Sequence, residues 1–99
     1  MEIKEYYQLT KVVTLDVYDD MTHAIGLSKD KIKRGKYEAY RNRYIANDRP
    51  EETEKYNIAV ENGIMKQYGY SDTCVAYKVT QKGLDFIAFR EDCKIKEID

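Results

Sequence analysis

The chain has 99 residues, with 17 Lys and Arg against 18 Asp and Glu and a formal net charge of −1. This length holds one domain with one modest core, the mixture of charged and apolar residues excludes a long disordered tract, and near-neutrality excludes a nucleic-acid binder that works through overall charge. No apolar run approaches the roughly 20 residues of a membrane-spanning helix, and Met1-Glu2-Ile3-Lys4 opens without the apolar core of a signal peptide, so the expected location is the cytoplasm.

In chain order, the aromatic and β-branched run from Tyr6 to Leu15, free of Gly and Pro, predicts a strand, giving an N-terminal strand region over residues 1–16. Met21, Ala24 and Ile25 then show the spacing of a short helix that closes at Gly26. From Lys36 to Ala46 a second helix is expected, because Tyr37, Tyr40 and Tyr44 share one helical face and are read as core.

Signals are denser after residue 47. Pro50, Glu51 and Glu52 suit the opening turn of a helix, Tyr56, Ala59 and Val60 give it an apolar stripe, and Gly63 can take the left-handed conformation that closes it. Two extended pieces flank a turn at Gly69-Tyr70-Ser71-Asp72, and Val75, Tyr77 and Val79 alternate with Cys74, Ala76 and Lys78 as in a strand buried on one side. Thr80 stands where a helix N-cap belongs, and Leu84, Ile87 and Ala88 form the buried face of the last helix. The expected fold is a single α+β domain: an N-terminal strand, a core over 17–90 with three to four helices and a β-hairpin, and a tail over 91–99 that adds an edge strand or frays.

Between Lys29 and Arg43 seven basic residues face two acids, which makes Lys31, Lys33, Arg34, Lys36, Arg41 and Arg43 the candidate contacts to a nucleic acid. The helix before the hairpin carries Glu51, Glu52, Glu54 and Glu61 against Lys55 alone, the wrong sign for a surface that faces a polyanion. Ten tyrosines and no tryptophan suit an interface or a core boundary. Tyr68 and Tyr70 at the hairpin tip, with Glu51 and Glu54, are the candidate protein-binding residues, the alternative being that hairpin tyrosines cover the edge of the core. With His23 as the only histidine and Cys74 and Cys93 far from CxxC spacing, no catalytic, metal or cofactor site is expected.

His23-Ala24-Ile25-Gly26-Leu27, Tyr40-Arg41-Asn42-Arg43-Tyr44, Val60-Glu61-Asn62-Gly63-Ile64-Met65 and Tyr77-Lys78-Val79-Thr80-Gln81-Lys82-Gly83-Leu84 follow one another in an order that resembles small uncharacterised phage and prophage proteins of Firmicutes, over roughly residues 21 to 88. The last two pieces also resemble the wing region of MarR- and PadR-type regulators, which implies a winged-helix-like domain. The resemblance implies a bacterial host cytoplasm and a non-catalytic accessory role. The expected partner is a host protein such as a defence component, in the manner of an anti-CRISPR protein. The alternative is a DNA-binding transcriptional regulator, and a homodimer is also open.

Overall fold

The computed structural model of the protein describes residues 1–98. Tyr6, Leu9 and Val13 recur at helical spacing, and this periodicity overrides the strand propensity of their neighbours: residues 6–15, expected as a strand, lie in helix α1 (Ile3–Thr10), a short turn and the first residue of α2 (Leu15–Ala24). The Tyr6 ring stacks on Phe86 and Phe89 at centroid distances of 5.1 and 4.5 Å, and Leu9 and Val13 are buried below it. Thr14 caps α2 by accepting the Val17 N–H at 3.3 Å, an interaction of about 1 kcal/mol. As expected, the chain leaves this helix at Gly26, where φ is +71°.

The helix expected over 36–46 is also replaced, by two strands, β1 (Lys36–Ala39) and β2 (Tyr44–Asn47). A two-residue turn precedes β1. The Lys33 N–H donates to the Lys36 carbonyl at 2.8 Å and the Lys36 N–H to the Lys33 carbonyl at 3.0 Å, with Arg34 and Gly35 both at positive φ as in a type I′ turn. Tyr37 and Ala39 then point inward and Lys36 and Glu38 outward, a period of two that ends any helical stripe. Tyr37, Tyr40 and Tyr44 therefore do not share a face: Tyr37 is buried, Tyr44 half-buried and Tyr40 exposed.

Beyond Asn47 the expected helix, hairpin and helix follow as α3 (Pro50–Glu61), β3 (Met65–Tyr70), β4 (Cys74–Val79) and α4 (Gln81–Glu91). Gly63 has φ +75°, and the Thr80 side chain accepts the Gly83 N–H at 3.1 Å. The hairpin tip is shorter than expected. Gly69 and Tyr70 belong to β3, which bulges between Gln67 and Gly69, and Ser71 to Thr73 make the turn. The tail forms strand β5 (Lys94–Glu97), which pairs parallel with β1 and leaves the hairpin sheet alone.

The domain is thus α+β, with four helices and five strands in two sheets among the described residues: β1–β5, and β2–β4–β3 with both pairings antiparallel. Its radius of gyration of 13.2 Å is that of one domain of this length, about 13 Å. Helices α2 and α3 pack on the inner face of the three-stranded sheet, where Tyr56 meets Tyr77 at 5.1 Å and Tyr44 at 5.4 Å between ring centroids. Three of the four buried phenols have a polar partner: Tyr56 donates to Asp20 at 2.6 Å, Tyr37 to the Ile25 carbonyl at 2.7 Å, and Tyr18 to Glu91 at 2.8 Å. None of the described helices is long and apolar enough to cross a membrane.

Candidate functional site

Strand alternation gives the three-stranded sheet two unlike faces. Ala46, Val75, Tyr77, Val79 and Met65 fill the inner one. On the outer one the register aligns Ile45, Ala76 and Gly69 in one row and Lys78 with Lys66 in the next, and Arg43, two residues before Ile45 and so on the same side, continues that second row. Tyr68 is the extra residue of the bulge and joins Ile45, Ala76 and Arg43 around a shallow cavity of about 280 Å³. Ile45 is 50 % exposed and Tyr68 48 %. An isoleucine and a tyrosine half open to water beside three cations make an amphipathic surface with no covering helix.

Tyr68 and Tyr70 both border the outer-face cavity but differ in what else they reach. Tyr70 pairs with Val75, whose side chain is internal, so it stands at the rim beside Thr53 and Asn57 of α3, 79 % exposed. Glu51 and Glu54 lie on α3, across the sheet from Tyr68, and are exposed. The structure therefore gives Tyr70 a place beside both the acidic helix and the outer-face cavity, and gives Tyr68 only the latter, with Ile45, a residue inside the helix expected over 36–46. Strict alternation around Ala46 is the signal that would have found it. Glu52 is occupied, accepting from the Asn47 N–H at 3.0 Å and the Asn47 amide at 3.2 Å.

The basic residues form a second surface. Lys33, Arg34 and Lys36 project from the type I′ turn, and the parallel register sets Lys94 beside Lys36 and Lys96 beside Glu38. Lys94 and Lys96 were missed in the sequence because their partner strand is some 58 residues away, beyond the reach of any local pattern. Arg34 has φ +54°, a conformation that costs a non-glycine residue about 1–2 kcal/mol. Tyr40 is not an open stacking platform: Lys31 and Arg41 stand 5.2 and 5.5 Å from its ring centroid, and the ring covers Gly26, where a Cβ would come within 2.7 Å of it. Asp30 accepts from the Ser28 hydroxyl at 2.6 Å, which with its own backbone hydrogen bond holds the carboxyl below its ordinary value.

Charge is segregated by element. Helices α2 and α3 carry Asp16, Asp19, Asp20, Glu51, Glu52, Glu54 and Glu61 against Lys55 alone, whereas the turn and β5 gather the lysines. Near-neutrality of the whole chain therefore conceals an acidic pair of helices and a basic ribbon. The one ion pair among the described residues joins Lys55 to Asp20 at 3.7 Å, between half-exposed groups, and contributes little. Cys74 and Cys93 are free, and burial, with Glu91 and Asp92 nearby, raises the Cys93 thiol above its ordinary value. No group of three or more His, Cys, Asp or Glu among the described residues is placed to hold a metal. Compared with family models, curated proteins and solved structures, the chain finds no match in any of the three.

Proposed function

We propose that this chain acts by stoichiometric binding and that its partner is a protein, engaged through the outer face of the three-stranded sheet. The observation that carries this reading is the uncovered pair Ile45 and Tyr68, half exposed on a sheet face flanked by Arg43, Lys66 and Lys78. A partner that fits it offers an apolar side chain to the row of Ile45 and Ala76 and carboxylates to the cations beside it. The sequence resemblance to small phage and prophage proteins favours a host protein, a defence component among them. A tagged chain incubated with host extract should retain a stoichiometric protein after nuclease treatment and lose it when Ile45→Ser and Tyr68→Ala are combined. Recovery abolished by nuclease, or untouched by that double change, overturns the reading.

A second reading, a winged-helix DNA binder, has two supports: the strand order β2–β4–β3 around the hairpin, and the basic ribbon enlarged by Lys94 and Lys96. Against it, β2 leads directly into α3, so α3 has no preceding helix to form a helix-turn-helix pair, and α3 itself is acidic. On this reading the contact falls to Lys33, Arg34, Lys36, Lys94 and Lys96. Changing these five to Gln should then abolish duplex binding and flatten its salt dependence, each lost phosphate contact lowering the slope by about one. Absence of duplex binding by the parent in low salt retires it.

A further inference from the structure

We propose that the hollow between the end of α2 and the start of β2 is a binding site for a phosphate group. It has a volume of about 500 Å³ and is lined by His23, Arg41, Arg43, Tyr44 and Ile45. The segment carrying the arginines is fastened to the last turn of α2: the Arg43 N–H donates to the Ala24 carbonyl at 3.0 Å, and Arg41 Nη2 donates to the His23 carbonyl at 2.8 Å. Both arginines line this one hollow, while Asn42 between them turns to the Val79 backbone, donating to its carbonyl at 2.8 Å and accepting its N–H at 2.7 Å.

Among the described residues no carboxylate lines this hollow, and Glu97, the carboxylate bonded nearest to it, is taken up by the Asn42 amide. Asp20, one turn before His23 on α2, is committed to the Tyr56 hydroxyl at 2.6 Å and to Lys55 at 3.7 Å, so it does not neutralise the arginines. Arg43 has no side-chain hydrogen bond or ion pair among the described residues, and Arg41 makes the single bond to His23, leaving most of the planar donors of both groups open. Tyr44 supplies a floor, held against Tyr56 at 5.4 Å and meeting the His23 ring edge to face at 6.3 Å. One guanidinium held at the His23 carbonyl and a second left free, both lining a cavity that no described acid enters, suit a tetrahedral oxyanion, which open guanidinium donors can engage bidentately. The site is separate from the basic ribbon, where Lys31, Lys33 and Lys36 line a hollow of about 560 Å³ of their own that, unlike this one, also takes in a carboxylate, Glu38.

The phosphate arrives either as a small phosphomonoester or as the terminal phosphate of an oligonucleotide. Amide and arginine side-chain NMR titrations of the full chain with inorganic phosphate, with adenosine monophosphate, and with a short single strand bearing or lacking a 5′-phosphate distinguish them. The expected result is saturable shifts of His23, Arg41, Arg43 and Tyr44, with affinity reduced roughly tenfold or more by Arg43→Gln, the change that removes charge-assisted bonds and leaves the α2 fastening untouched. Arg41→Gln should act likewise with a native spectrum elsewhere. A preference for the 5′-phosphorylated strand over the monophosphate assigns the site to nucleic-acid ends, and equal response to all phosphates assigns it to small esters. Absence of saturation, shifts spread over Lys33 to Lys36, or a response to phosphate unchanged in Arg43→Gln overturns the proposal.

Discussion

The two faces of the β2–β4–β3 sheet use the same residue types for opposite ends. On the inner face Tyr44, Tyr56 and Tyr77 interlock as tilted rings, and the Tyr56 hydroxyl is satisfied by Asp20. On the outer face Tyr68 stands half open beside Ile45, with Arg43, Lys66 and Lys78 alongside and no element above. Tyrosine tolerates both settings because its ring supplies apolar area while its hydroxyl demands only one partner, protein or water. Abundance of tyrosine thus says nothing about where an interface lies. The register does, since it alone decides which face each ring joins.

The inner face should break most easily at Gly83. In the first turn of α4, a Cβ there would run into the Ile64 carbonyl and come within 2.6 Å of Val79 Cγ1. Backbone cannot yield as a side-chain tip can, so Gly83→Ala should cost about 3 kcal/mol through overpacking. Thermal melting should fall by well over 10 °C, at roughly 4–8 °C per kcal/mol for a domain of this size. A melt within a few degrees of the parent would mean that α4 is free to lift from the sheet.

Tyr56→Phe should cost less, about 1–2 kcal/mol, by removing the bond to Asp20 while keeping the ring stack. It also has a signature in pH. Burial first, and the Asp20 hydrogen bond second, raise the Tyr56 phenol above its ordinary 10.0, and burial with Glu91 does the same for Tyr18. A raised folded-state value means that the folded protein keeps protons the unfolded chain releases. Stability from these phenols is therefore complete below about pH 10 and declines as pH rises beyond it. Urea midpoints of the parent should fall above that pH, and those of Tyr56→Phe should fall less steeply.

Smaller again is the cap at Gly63. Only the Lys82 side chain lies near the space a Cβ would fill, at 3.7 Å, so the penalty comes from φ +75° rather than from contact. Gly63→Val should lose about 1 kcal/mol or somewhat more. A variant that melts like the parent would show that the chain closes α3 without the left-handed residue.

Why the second half of the fold was legible and the first was not follows from the range of the signals. Pro50, Gly63 and Thr80 act on their own turns, and the alternation of Val75, Tyr77 and Val79 needs no partner to be recognised. In the first half, Tyr6, Leu9 and Val13 did carry a helical period, but Tyr7, Val12 and other apolar neighbours filled the gaps and made the run read as strand. Tyr37, Tyr40 and Tyr44 had helical spacing by coincidence, and β1 is held by β5, a partner that no local pattern reveals. The candidate surfaces inherit this division. The basic turn was visible from composition, while Ile45 and Arg43 on the outer face, and Lys94 and Lys96 beside Lys36, depend on strand pairing.

The smallest effect on stability, and the sharpest test of the two-face comparison, belongs to the exposed tyrosines. Tyr68→Ala and Tyr70→Ala should each change unfolding free energy by no more than about 0.5 kcal/mol, because neither ring is packed in the core. Their effects on partner capture should differ, since Tyr68 borders only the outer-face cavity with Ile45, whereas Tyr70 at the rim borders that cavity and α3 as well. If the outer face is the docking surface, Tyr68→Ala should weaken binding by about 1–2 kcal/mol or more, and Glu51→Lys with Glu54→Lys should change it little, lying across the sheet. If instead the reversed charges slow association while Tyr68→Ala is neutral, the acidic side of α3 is the docking surface, with Tyr70 its nearest aromatic anchor. One flat partner cannot cover both sides of the sheet, so equal and large losses from both sets would require a partner that wraps the hairpin, and the cycle combining Tyr68→Ala with Glu54→Lys would then show whether the two contacts are made independently.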